Sequence, residues 1–259
     1  MKVAQVFDAY KAPKGSIAAR CHVLRETERV ALIDFCVGAL PDCYITQSVL
    51  RERMKATGKT ASEILANKLP DFGSVMSGDF GEMLTLYFLG TERAEKVEMI
   101  KKWRFKQDRR KAAPHSDVVV LYRESETKAS ANDFVINAES KQKSTKGSFA
   151  PIAKAIEGVT QDQTGRLGRT LAWLREKAID YGDKEGIALI ERFTHDLSVS
   201  YAKHYKAVAV IDRDLLDAEL TRQPAPMPNS TFEVVVIGIK DLKDFYERVF
   251  GRAIKEVTA

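Results

Sequence analysis

Residues 133–144 read DFVINAESKQKS. In a β-strand successive side chains point to opposite faces. That period puts Val135, Asn137, Glu139 and Lys141 on one face, and Phe134, Ile136 and Ala138 on the other. Ser140 lies between the acid and the lysine, with a main-chain carbonyl free to act as a ligand where the strand end frays. Two readings fit this stretch. It is the exposed end of an ordinary strand, or it is half of a site that binds a cation and sets a lysine beside it.

The neighbours on the N-terminal side bear on that choice. DVVVLYR, at 117–123, carries four consecutive apolar residues before Tyr122, the pattern of a strand buried on both faces. The polar segment ESETKASAN (124–132) joins it to the first stretch; if the two strands are neighbours in a hairpin-like pair, Asp117 and Glu139 can approach from adjacent strands. KVEMIKKWRFK (96–106) reads as one more strand. Before it, GDFGEMLTLYFLG (78–90) spaces Phe80, Met83, Leu84, Tyr87 and Phe88 as a helix does, and Gly90 is a natural stop. Asp79 and Glu82 have the D-x-x-E spacing of a capping box, the favoured reading of Glu82 taken alone. The same helix also allows Glu82 to point toward the strand carboxylates.

Further out, VAQVF (3–7) reads as a short strand, and CHVLRETERVALIDFCVGAL (21–40) as a helix or as a strand followed by a helix. SVLRERMKATG and TASEILANKL read as short helices, with Thr60 and Ser62 as caps. After Lys146 come helices over FAPIAKAIEGV, RLGRTLAWLREKAIDYG (opened by Arg166 and Arg169) and KEGIALIERFTHDL. Strands follow at 207–212 and 231–239, joined by the proline-rich loop QPAPMPNS (223–230), and LKDFYERVFGRAI closes the chain as a helix. This order predicts an α/β fold with a mixed sheet flanked by helices.

Composition narrows the class. The 259 residues are 44% hydrophobic and 30% charged, as in a globular chain, and the net charge of +5 permits nucleic-acid binding without requiring it. No apolar run reaches the ~20 residues of a membrane helix, and charges interrupt the N-terminus where a signal peptide needs its apolar core. A cytoplasmic protein without a membrane partner is expected. Three scattered cysteines do not make a disulfide framework or a cysteine-rich zinc site. No G-x-x-x-x-G-K-[ST] occurs, so the chain carries no ATPase signature of that kind.

Asp117, Glu139 and the Ser140 carbonyl suit a hard cation such as Mg²⁺, which takes oxygen ligands and keeps waters. Lys141 beside it can orient water and stabilise negative charge in phosphodiester hydrolysis. Without metal the two carboxylates repel, so one pKa should be raised. Lys143 and Lys146 would meet phosphates on the exit path. Lys106, Arg109, Arg110 and Lys111, in KQDRRK, either grip a DNA backbone or form a solvated charge run. His115 and Gln142 are further candidates for contact with DNA. THD (194–196) with His204 invites comparison with His/Asp metallohydrolases, but His22 and His115 add no supporting spacing. Trp103 and Trp173 could stack on bases, or simply belong to apolar faces.

Taken together, GDFGEMLTLYFL, PHSDVVVLY and NAESKQ resemble the PD-(D/E)XK nuclease superfamily, whose restriction-endonuclease-like core runs helix, three strands, helix, strand. Residues 78–147 resemble, more narrowly, the HamA family of nuclease subunits from the Hachiman anti-phage defence system. The resemblance implies metal ligands at Asp117 and Glu139, a catalytic lysine at Lys141 and a supporting acid at Glu82. It departs from the superfamily pattern at Pro114, which His115 and Ser116 separate from Asp117. It also implies Mg²⁺ as cofactor (Mn²⁺ able to substitute), DNA as substrate with little sequence preference, and a HamB-like superfamily 2 helicase subunit as partner. The expected organisation is one nuclease domain over 1–259: an N-terminal elaboration (1–74), a core (75–215) and a C-terminal strand and helix (216–259). The competing expectation is a nuclease-like module without catalysis that docks on a helicase or on DNA.

Overall fold

A computed structural model describes residues 1–195, 198–222 and 231–259. Its strands are β1 (Phe7–Ala9), β2 (Arg20–Leu24), β3 (Glu98–Met99), β4 (Val118–Tyr122), β5 (Phe134–Lys143), β6 (Ala202–Asp212) and β7 (Phe232–Ile239). They form one mixed sheet in the order β1-β2-β7-β6-β5-β4-β3. The block β2, β7, β6, β5 is parallel; β1, β4 and β3 pair antiparallel at its edges. The helices are α1 (Arg29–Tyr44), α2 (Gln47–Thr57), α3 (Ala61–Ala66), α4 (Ser74–Glu92), α5 (Pro151–Gln161), α6 (Leu167–Asp180), α7 (Lys184–Thr194), α8 (Leu216–Thr221) and α9 (Leu242–Glu256). The expected α/β architecture and the order helix, three strands, helix, strand are both present.

Alternation along β5 sorts the two sides of the sheet. Phe134, Ile136 and Ala138 join the core that holds α1, α4 and α9, whereas Val135 joins Val119 and Leu121 against α6 and α7. α5 packs on the same side as α6, over Ala207, Ala209 and Ile211 of β6. In β4, Val118, Val119, Val120 and Leu121 are all buried, as the unbroken apolar run predicts. Each such side chain contributes about 1.5–3 kcal/mol on burial. The strand is therefore a rigid frame for the aspartate that precedes it.

Several local expectations change. α4 starts at Ser74 with Gly73 as N-cap, so Asp79 and Glu82 lie inside the helix and form no capping box. The physical reason is Met76, which is buried and extends the apolar surface of α4 one turn upstream. In KVEMIKKWRFK only Glu98–Met99 pair as strand, and Lys102–Phe105 make a 3-10 turn. Lys102 and Trp103 both turn inward there, which two successive strand residues cannot do. Trp103 belongs to the core. Val3–Val6 form a 3-10 turn ahead of β1, and 21–40 resolves into strand then helix. β6 starts five residues before the apolar run, because β5 pairs with it from Ala202 onward. The proline-rich loop and Asp196 of the THD motif lie outside the described residues. Among the described residues no single helix is long and apolar enough to cross a membrane.

Candidate active site

Asp117 stands one residue before β4, and the Val118–Ala138 pairing sets it beside the end of β5 that carries Glu139 and Lys141. Asp117 Oδ2 accepts the Ser140 N–H at 3.0 Å and the Lys141 ammonium at 2.9 Å. The same ammonium contacts Glu139 Oε1 and lies 3.2 Å from the Ser140 carbonyl oxygen. Three oxygens from three residues thus converge on one cationic nitrogen.

That convergence tests whether the residues fit a metal ion. The Lys141 ammonium stands in for a cation, and the groups around it are hard oxygen donors of the kind Mg²⁺ takes. They fit. Among the described residues no group of three or more His, Cys, Asp or Glu side chains is placed to hold a metal. A cation here would therefore rest on two carboxylates and one main-chain oxygen, with its remaining positions open to water and phosphate.

Electrostatics divides the two acids. Burial would raise the Asp117 pKa, but Lys102, Lys141 and the Ser140 N–H outweigh it and hold it below the usual range. At Glu139 burial and the nearby Asp117 charge prevail over Lys141 and Arg166, and its pKa is raised. Burial alone would deprotonate Lys141 more easily; the two carboxylates reverse that and keep it protonated.

Glu82 is not one of the converging oxygens. It projects from α4, on the other side of the sheet, and Lys102 stands between it and Asp117. The Lys102 ammonium donates to the Ser116 carbonyl at 2.8 Å and lies 3.2 Å from Glu82 Oε2 and 3.8 Å from Asp117 Oδ1. The Glu82 contact is an ion pair without hydrogen-bond geometry. Buried, and facing Asp117 and Asp79, Glu82 has a pKa pushed up to about 8 despite Lys102.

Several expected DNA contacts are spent inside the protein. Lys106 is buried on Asp79 at 2.8 Å, with Tyr44 Oη donating to the same oxygen at 2.6 Å, so it cannot grip a backbone. Lys143 is buried among Glu219 and the carbonyls of Gly147 and Phe149. Gln142 is an even-numbered β5 residue, so it faces α4 and donates to Ser77 Oγ at 2.8 Å, away from Lys141. Arg109 is tied to Asp71 and to the Ala66 and Leu69 carbonyls. Arg110, Lys111 and Lys146 remain exposed, although Arg110 also pairs with Asp108. His115 takes a left-handed backbone (φ 71°), and its ring lies 5.0 Å from that of Trp173.

Three residues enter the site without a sequence signal for it. Lys102 looks like one lysine in a basic run. Gly158 lies under Glu139, where an added Cβ would fall less than 3.0 Å from the carboxyl carbon. Arg166 reads only as part of a helix start, yet its Nη2 bonds Glu139 Oε2. Its i,i+4 spacing from Asp162 marks a local pair; nothing in the spacing points to residue 139.

The mixed sheet, the paired β4 and β5, and the oxygens at their shared end define an α/β protein with a nuclease-like core. The HamA family model matches residues 4–253. The chain belongs to the HamA family, of the Hachiman anti-phage defence system. Among curated proteins, none matches the chain at a significant level.

Proposed function

We propose that this chain is a metal-dependent nuclease, the effector of a Hachiman complex, and that it hydrolyses DNA phosphodiester bonds with little sequence preference. The observation that carries this reading is the convergence of Asp117 Oδ2, Glu139 Oε1 and the Ser140 carbonyl on Lys141 Nζ. Those three oxygens would hold Mg²⁺, with Mn²⁺ able to substitute. A bound divalent ion supplies charge stabilisation at the phosphate and a more acidic water.

The protein's own groups do the rest. Lys141 keeps its proton, and its flexible stem lets the ammonium turn from the carboxylates to orient the attacking water and offset charge developing on the phosphate. Asp117 stays ionised because Lys102 and the Ser140 N–H favour its charged form. Glu82 supports the site through Lys102 rather than by direct contact. Exposed Arg110, Lys111 and Lys146 suit phosphate contacts that carry no sequence information. A nuclease without base contacts endangers its own cell, which is the reason to place it under a HamB-like superfamily 2 helicase subunit.

The test is cleavage of plasmid and linear DNA with Mg²⁺, alone and with a co-purified helicase subunit, by wild type and by a Glu139→Ala/Lys141→Ala double variant. Cleavage confined to wild type supports the reading, and its response to the partner shows whether that subunit restrains or enables it. Folded wild type that never cuts moves the assignment to a non-catalytic docking module.

A further inference from the structure

We infer that Arg166 is a positioning residue: anchored on Asp162 and on the Gly158 carbonyl, it holds one oxygen of Glu139 so that the other faces the point where Asp117 and Ser140 converge. The inference rests on the metal-site reading above and assigns a role to a residue outside the acid–lysine motif.

The geometry is a planar fork used on several partners at once. Arg166 Nε donates to Asp162 Oδ1 at 2.7 Å, and Nη2 donates to the Gly158 carbonyl at 2.8 Å and to Glu139 Oε2. Glu139 Oε1 is left on the side of Lys141. The carboxylate is thus held by one oxygen and offered by the other. A metal ligand oriented in this way is typically weakened ~10–100-fold when the orienting partner is removed.

The anchor is shared between the two halves of the site. Asp162, only 1% exposed, also accepts the Ser116 hydroxyl at 2.7 Å on the same oxygen that binds Arg166. Ser116 directly precedes Asp117, and its N–H donates to Thr170 Oγ1 at 3.1 Å. One buried carboxylate therefore ties down the residue before Asp117 and the arginine on Glu139. The chain breaks between α5 and α6 within this stretch. Gly165, at φ 115°, makes the break, in a region other residues rarely adopt. Asp162 and Arg166 remain one turn apart across it.

Lysine cannot reproduce this arrangement, because a point charge lacks the two edges of the guanidinium. A residue that merely braced the fold would leave metal affinity unchanged once the protein folded. A residue that gripped DNA would change KM. Arg166 should do neither.

The experiment is Mn²⁺ titration by calorimetry on full-length wild type, Arg166→Ala and Arg166→Lys, with circular dichroism on each and steady-state cleavage alongside. We expect Arg166→Ala to bind Mn²⁺ roughly 10–100-fold more weakly and to lose kcat with KM for DNA retained, and Arg166→Lys to recover part of both. Should the alanine variant fail to fold, Arg166→Lys carries the test, with weaker Mn²⁺ binding than wild type expected. Folded variants that bind Mn²⁺ as tightly as wild type, or more tightly, overturn the proposal; tighter binding would make Arg166 a competitor of the metal. Wild type that binds no Mn²⁺ overturns the metal-site reading itself, and this proposal with it.

Discussion

Gly158 and Glu139 are so close that glycine is the one residue α5 can place there without moving the carboxylate. A Cβ at 158 would come within 3.0 Å of the Glu139 carboxyl carbon, its Cγ and its Oε1. Oε1 is also the oxygen that faces Lys141. Gly158→Ala should therefore displace the ligand and lower DNA cleavage on the order of 10–100-fold, as misplacement of a catalytic group does. Helix propensity acts in the opposite direction, since alanine favours a helix interior by about 1 kcal/mol over glycine. Cleavage rate and urea stability measured on the same preparation check this. An unchanged rate would show that Glu139 need not stay where it stands.

The Lys141 ammonium compensates two carboxylates, so its loss should make the fold depend on divalent ions. Lys141→Met leaves Asp117 and Glu139 facing one another across the vacated position. A ligand that binds only the native state stabilises it by about 2.7 kcal/mol at a hundredfold excess over Kd. Mg²⁺ should thus raise the Tm of Lys141→Met more than that of wild type, while cleavage is lost. Thermal melts with Mg²⁺ and with EDTA decide it; an equal rise in both proteins counts against the site.

Glu82 should make the native state less stable as pH rises. Its folded pKa, pushed up to about 8, exceeds the ordinary 4.5, so between those values the unfolded chain releases a proton that the folded chain retains. Its contribution is full below about pH 4.5 and lost by about pH 8. Glu82→Gln should match wild type near pH 5 and become more stable by up to a few kcal/mol near pH 8. Urea unfolding at the two pH values is the measurement. Wild type more stable than the glutamine variant at pH 8 would refute it.

At the opposite end of β5, Asp133 should matter for stability and not for chemistry. It is fully buried, accepts Arg192 Nε at 2.6 Å, and caps the N–H groups of Glu124 and Ser130. Burial would raise its pKa, but those hydrogen bonds and Arg192 prevail and lower it. The stability it contributes is therefore present above the ordinary aspartate pKa and lost as pH falls through the folded value. Asp133→Ala takes the carboxylate acceptor from the Glu124 and Ser130 N–H groups and breaks the Arg192 ion pair, and should cost on the order of 1–3 kcal/mol. Its cleavage rate per folded molecule should remain that of wild type; a selective loss of rate would tie this pair to the site.

The strand periodicity of FVINAESK placed Glu139 and Lys141 on one face, and the unbroken VVVL run marked β4 as buried; both are local properties of consecutive residues. KVEMIKKWRFK misled because alternation is a weak signal where lysines punctuate it, and burial of Lys102 and Trp103 outweighed strand pairing. The capping box failed for a related reason: D-x-x-E matches the box wherever it falls, and only the packing of Met76 shows that α4 has already begun. The basic run KQDRRK carries charge in plain view, yet which of its charges is free depends on distant acids, Asp79 for Lys106 and Asp71 for Arg109.

The sequence by itself determined the α/β alternation and the acid–lysine spacing at the strand end, since each depends on backbone period over a few residues; that β4 pairs with β5, and in which register, came from the structure. Only the tertiary structure decided what surrounds those side chains. Gly158, Asp162 and Arg166 meet Glu139 and Ser116 because α5 and α6 fold back over the sheet, and Lys102 meets Glu82 because a 3-10 turn buries it. Such contacts join residues 19–46 positions apart. Their energies come from burial and from opposite charge at short distance, and neither leaves a period in the chain.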